Sequence, residues 1–246
     1  MQHEKINVRG VLFDSVSAAE ALDVCREFLE EGRAKTVFTP NSEIVQACVE
    51  DEKLRDAVNS ADLVIPDGAG VVLASKLLKT PLTKGKVAGI ELFEAILADC
   101  AERSVPVFLL GGKPGVADEA AEKLKAKYPT LSVAGTRDGY FEKTGPESDG
   151  VVETIKSSGA RFCGVCLGAP AQENWISENK EKFGDMLLGG FGGSLDVFAG
   201  RVKRAPKFFI KLRLEWLYRL FKQPSRIGRM MKIPKLLIGC LFAKKK

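Results

Sequence analysis

Short apolar runs alternate with helical stretches as far as residue 200, and this rhythm limits the fold more than any other feature. Residues 8–13, 36–39, 63–66, 105–110, 131–134 and 162–167 read as strands. Between them lie segments with apolar residues at 3,4-spacing, such as Ile90, Phe93, Ile96 and Leu97. Ser17-Ala-Ala-Glu20 is a capping box that opens the first helix, and Gly32 is its expected C′ residue. Residues 186–188 and the glycine cluster 189–193 close this region. Such alternation predicts an α/β fold: a doubly wound, mainly parallel sheet with helices on both faces. A chain of 246 residues is long enough to bury a full core.

In sheets of this type, ligands gather outside the carboxyl ends of the strands. The stretch Val64-Ile65-Pro66-Asp67-Gly68-Ala69-Gly70 places Asp67 at one such edge, between a buried strand and the next helix. A carboxylate there can act as a general base, bind a sugar hydroxyl, or cap the helix. A second edge of the same kind, Phe38-Thr39-Pro40-Asn41, lies one unit earlier. Gly111-Gly112-Lys113-Pro114-Gly115 follows a strong strand and reads either as a phosphate-approach loop or as an ordinary tight turn. Gly139-Tyr140-Phe141 and the segment from Gly168 to Gln172 belong to the same edge. Aromatics there suit base stacking, and Gln172 suits a sugar hydrogen bond; loop packing is the plain alternative.

Residues 201–246 differ in kind. They carry fifteen Lys and Arg against the single acid Glu215, a net +14, which leaves −9 for residues 1–200. Within 207–222, Phe209, Leu212, Trp216 and Leu220 share one helical face, with Lys207, Lys211, Arg219 and Lys222 nearer the other. The final apolar run, 236–243, is far shorter than the ~20 residues that span a bilayer. The pattern predicts a basic amphipathic appendage lying on an anionic membrane surface. A helix hairpin packed on the body or on a partner subunit is the alternative. Leu236, Leu237 and Ile238 fit lipid better than a phosphodiester backbone, which argues against nucleic acid.

Several chemistries are excluded. The one histidine, His3, leaves no Ser-His-Asp, Cys-His or His-ligated zinc site. Cys163 and Cys166 lie three apart on an expected strand and so face opposite sides; the six cysteines read as reduced and buried. No GxGxxG, no GxxxxGK[ST] and no Asp-x-Asp occurs. A diphosphate leaving group would therefore be neutralised by cationic side chains or helix termini, without a metal or other cofactor. Residues 1–8 have no apolar leader core, which argues against export.

In order along the chain stand Thr39-Pro-Asn41, Pro66-Asp67-Gly68, Val87-Ala-Gly89, Gly111-Gly112-x-Pro-Gly115 and Gly139-Tyr140-Phe141. Gly168-x-Pro-x-Gln172-Glu173 and Glu215-Trp216-x-x-Arg219 complete the set. Together they resemble the WecG/TagA/CpsF glycosyltransferases of bacterial surface-polymer synthesis, and most of all the wall teichoic acid branch. The resemblance implies a Rossmann-like catalytic domain at 1–200 and an appendage at 201–246 that completes the site. It implies inverting, metal-independent transfer of N-acetylmannosamine from UDP-N-acetylmannosamine to polyprenyl-diphosphate-linked N-acetylglucosamine, forming a β-1,4 linkage. The enzyme would work in the cytoplasm, peripheral on the inner face of the membrane, with a homo-oligomer left open. By the same resemblance Asp67 is the base, with Thr39, Asn41, Gln172 and the arginines 219, 226 and 229 in the catalytic set. Lys86, Gly111, Gly112, Tyr140, Gly168, Gln172 and Glu173 would hold the nucleotide sugar. Lys86 stands where the family commonly has Arg, which keeps the charge and loses the bidentate fork. Another UDP-sugar and lipid acceptor, as in enterobacterial common antigen or capsule synthesis, is the nearest rival. A non-catalytic protein whose basic tail binds nucleic acid or membrane is the more distant one.

Overall fold

The computed structural model describes residues 3–203, 205–206, 208–209, 218 and 227–243. Among them, six parallel strands form one sheet in the order β4-β3-β8-β7-β5-β6. The strands are β3 (Lys35–Phe38), β4 (Leu63–Val64), β5 (Val107–Gly111), β6 (Val133–Arg137), β7 (Phe162–Cys166) and β8 (Leu187–Gly190). Alternate strand residues feed two cores, as the twofold side-chain period requires. Val64, Phe108, Leu110, Cys163, Val165 and Leu188 face one side. Leu63, Val107, Leu109, Phe162, Cys166 and Leu187 face the other. Cys163 and Cys166 thus sit on opposite faces, and all six cysteines are free and buried.

The first core is covered by α2 (Ser42–Glu50), α3 (Glu52–Asn59), α4 (Ala69–Leu77), α7 (Gly145–Ser157) and α8 (Ala171–Asn179). The second is covered by α1 (Ala18–Glu30), α5 (Gly89–Glu102), α6 (Val116–Lys127) and α9 (Ser194–Phe198). Ser17 and Glu20 form the reciprocal capping box at the start of α1. The helix that follows β8 lies on one face and those that follow its neighbours β3 and β7 on the other. Crevices therefore open at the carboxyl edge on both sides of β8.

Three elements depart from the sequence reading. Residues 8–13 are not one strand: Arg9 and Gly10 take positive φ and turn β1 (Lys5–Val8) back on β2 (Val11–Asp14). Positive φ at both central residues is what a two-residue hairpin turn needs. The hairpin docks on β4 through Asp14, which accepts the Val64 N–H at 2.8 Å and so covers that sheet edge. The sixth strand lies at 133–137 rather than 131–134, with Gly135 admitting the Phe108 ring below it. Of the unassigned glycine cluster after Leu188, Gly189 and Gly190 are strand. A Cβ on Gly189 would fall 2.2 Å from the Phe191 ring, and one on Gly190 3.1 Å from Phe38, so side chains from elsewhere fill those places.

The end of the chain returns to the body. Following α10 (Ile227–Met230), α11 (Lys232–Leu241) packs on α2 and α4, with Leu236 fully buried and Cys240 nearly so. For these residues a helix packed on the body is what forms. Met231, Ile238, Leu241 and Phe242 stay exposed on the outer side. Among the described residues no helix is long and apolar enough to cross a membrane.

Candidate active site

Parallel pairing of β3 with β4 sets the two motif turns side by side. The Ile65 N–H donates to Phe38 at 2.9 Å, and beyond the strands the Asp67 N–H donates to Pro40 at 3.3 Å. Two glycines allow the approach. A Cβ on Gly70 would lie 2.2 Å from Ser42 Oγ, and one on Gly89 2.8 Å from Thr39 Oγ1. The Val87 N–H donates to Pro66 at 3.0 Å, which lays the half-buried Lys86 alongside the Asp67 turn. Asn41 caps α2, its Oδ1 accepting from Glu43 N at 2.9 Å and Ile44 N at 3.2 Å. Asp67 is not the N-cap of its helix: the N-cap of α4 is Gly68, at φ 87°. The half-buried Asp67 carboxylate is thus one residue outside the helix, on the edge.

Hydrogen bonds stitch the remaining turns to this pair. Thr39 Oγ1 donates to the Gly190 carbonyl at 3.1 Å, joining β3 to β8. Gln172 Oε1 accepts the Gly192 N–H at 2.9 Å, joining the β7 turn to the β8 turn. The Gln172 backbone N–H closes on Gly168 at 3.0 Å around the cis Ala169–Pro170 bond. The Gly112 N–H donates to Cys166 at 3.2 Å, and the Gly139 N–H to Gly112 at 2.9 Å. Tyr140 is 66% exposed at the β6 end, while Phe141 is buried against Trp175. Lys143 sits 3.8 Å over the Phe141 ring and donates to the carbonyls of Gly139 and Phe141. Burial holds its pKa below the usual lysine range.

The glycines of this edge divide into two sorts. A Cβ on Gly111 would strike the Cys166 backbone at 2.3 Å, and one on Gly112 would meet Val116 at 2.7 Å. Protein packing alone demands glycine there. At Gly68, Gly168 and Gly192 nothing lies within 4 Å of the added Cβ. Those three line open space at the ends of β4, β7 and β8.

A profile of the glycosyl transferase WecG/TagA/CpsF family matches residues 6–246. The chain belongs to this family. It is also 36% identical, over 214 residues, to the N-acetylglucosaminyldiphosphoundecaprenol N-acetyl-beta-D-mannosaminyltransferase of Bacillus spizizenii. The match covers 87% of this chain and 81% of that protein. The protein is an enzyme, a glycosyltransferase on a Rossmann-like α/β fold.

Within this family member, Thr39, Asn41, Asp67 and Lys86 come together at the β3–β4 end, and Gly168 and Gln172 join them across β8. Gln172 and Glu173 are 2% and 1% exposed, and both ends of the Gln172 amide bond inside the protein. Gly111 and Gly112 lie further along the edge, and Tyr140 at its far end. Arg219 and Arg226 lie outside the described residues, as does the side chain of Arg229. The start of α11 nevertheless reaches this place: Ile233 is 3.8 Å from a Cβ built on Gly70, three residues past Asp67. The turn at Gly192 escaped the sequence reading as a separate part of the site. Its signal was the glycine cluster, whose members look alike until packing separates Gly189 and Gly190 from Gly192. Burial raises the thiols of Cys48, Cys100 and Cys166 to about 12, which rules them out as nucleophiles.

Proposed function

We propose that the enzyme transfers N-acetylmannosamine from UDP-N-acetylmannosamine to the 4-hydroxyl of N-acetylglucosamine on a polyprenyl diphosphate, in wall teichoic acid linkage-unit synthesis. The observation that carries this reading is the place of Asp67 on the sheet edge, its turn bonded to the Thr39–Asn41 turn through Pro40. A carboxylate on a ligand-facing edge is placed to act as a general base. The name of the Bacillus spizizenii relative supports the transferred sugar and the acceptor.

In the proposed reaction Asp67 takes the proton of the attacking hydroxyl as its oxygen bonds to the anomeric carbon. The bond from that carbon to the UDP oxygen breaks on the opposite face, which inverts the centre. Charge builds on the departing diphosphate, and Lys86 with one or more of Arg219, Arg226 and Arg229 offsets it. Thr39, Asn41 and Gln172 fix the shape of the sugar subsite. No metal is assigned to the diphosphate, since the chain has no Asp-x-Asp.

The acceptor's lipid belongs in a membrane, and the outer side of α11 suits one. Met231, Ile238, Leu241 and Phe242 are exposed apolar residues there, and Leu73 of α4 is exposed as well. With Lys76 and Lys79 of this part of the chain, such a face suits the surface of an anionic bilayer on the cytoplasmic side. The deciding experiment is a UDP-release assay with a panel of UDP-N-acetylhexosamines and a short-chain lipid-diphosphate acceptor. The reading expects release with the manno epimer in excess of the others. Release with none of them, or only with a different epimer, would overturn it.

A further inference from the structure

Glu173 is a carboxylate that the proposed reaction does not use, and it is almost wholly shielded from solvent. Its Oε1 accepts from Gln172 Nε2 at 2.9 Å, while Gln172 Oε1 accepts from Gly192 N at 2.9 Å. The two ends of a glutamine amide have nearly the same shape, so packing alone does not choose between its orientations. An acceptor at Glu173 and the Gly192 N–H, which can only donate, together select one orientation. With Nε2 held toward Glu173, the amide oxygen must face the Gly192 N–H. In the flipped amide, oxygen would meet carboxylate and N–H would meet N–H, leaving two buried hydrogen bonds unmade. Gly190 makes room for this arrangement: a Cβ there would stand 3.0 Å from Gln172 Nε2. Gly192, at φ 58°, lies where an added Cβ would meet nothing within 4 Å.

We infer that Glu173 is a positioning residue, which orients the Gln172 amide and through it holds the Gly192 turn in the shape that receives the donor. This rests on the glycosyl transfer proposed above. The effect on the donor is indirect, since neither the carboxylate nor its neighbouring amide need touch it.

The test compares Glu173→Leu, Glu173→Gln and Gln172→Leu by donor KM, kcat and the Gly192 amide resonance in ¹H–¹⁵N spectra. Loss of a hydrogen bond of ordinary strength predicts a donor KM raised roughly three- to tenfold in Glu173→Leu, with a smaller change in kcat. The Gly192 resonance should move in the same variant. Glu173→Gln can still offer a carbonyl to Gln172 and should restore both to near wild type. Adding Glu173→Leu to Gln172→Leu should raise KM no further. An unmoved Gly192 resonance in folded Glu173→Leu would overturn the inference. So would a Glu173→Gln enzyme that shifts this resonance as far as Gln172→Leu, a comparison that stands even if Glu173→Leu does not fold. A wild-type enzyme inactive with every donor would sink the proposed reaction instead, and the Gly192 resonance would still decide the relay.

Discussion

The Asp67 N–H donates to the Pro40 carbonyl at 3.3 Å, past the point where the β3–β4 ladder ends. That bond continues the parallel pairing by one step and fixes the distance between two turns separated by a full strand–helix unit. Both turns carry a polar residue to the edge, but they spend it differently. Asn41 is the N-cap of α2, whereas Asp67 stands one residue before the N-cap of α4, Gly68.

The closeness of these turns depends on Gly70, which lies against Ser42 Oγ. Gly70→Ala should therefore push α4 away from α2 and cost about 1–3 kcal/mol of stability, with a loss of turnover. Removing the hydroxyl in Gly70→Ala/Ser42→Ala should recover much of both. Thermal melts and transfer rates of the single and double variants check this, and no recovery in the double would count against the contact.

Metal independence follows from the proposed handling of the diphosphate by cationic side chains. Transfer rates should be essentially unchanged by EDTA. A requirement for Mg²⁺ or Mn²⁺ that survives re-addition controls would show that the leaving group is neutralised in another way.

Much of the framework was legible because it is written locally. Ser17 and Glu20 announce a helix start that does not depend on the rest of the protein, and the cap forms as expected. The motif turns at Thr39 and Asp67 follow from strand ends. What escaped depended on distant partners. Gly189 and Gly190 lack the apolar pattern of a strand because Phe191, Phe38 and Gln172 occupy the space their side chains would take. The Arg9-Gly10 turn was hidden inside a continuous apolar alternation. The amphipathic pattern after Pro224 left open an interfacial helix or one packed on the body, and Leu236 is buried on α2 and α4 while Ile238 and Leu241 remain exposed. A helix apolar on both sides does not say which side finds the core.

The seat of α11 has an acid-sensitive clasp. Lys235 Nζ lies 2.6 Å from Glu50 Oε1 and Lys232 Nζ 3.6 Å from Oε2. The bond from Lys235, aided by Gln46, holds the Glu50 carboxyl at about 2, below the ordinary 4.5. A depressed folded-state pKa contributes stability above the unfolded value, lost as pH falls through the folded one. Glu50→Gln should thus melt below wild type at pH 7, with the gap closing between pH 4.5 and 2. A gap independent of pH across that window would reject the clasp.

For the arginines of the appendage, charge alone is not the expectation. Replacing Arg219, Arg226 or Arg229 singly by Ala should lower turnover by roughly 10²-fold while changing vesicle binding little, because planar forks suit a diphosphate. Changing the lysines at 244–246 to Ala should do the reverse. Parallel assays of transfer and of sedimentation with anionic vesicles separate the two effects, and equal losses in both for the arginine variants would reduce them to anchors.

The central claim is that Asp67 removes the acceptor proton, and Asp67→Asn tests it most directly. The amide keeps the size of the side chain and cannot take the proton. Single-turnover transfer from bound UDP-N-acetylmannosamine to a lipid-diphosphate acceptor should fall by about 10²–10⁴-fold, with donor affinity and melting temperature close to wild type. Transfer within a few-fold of wild type would contradict the assignment.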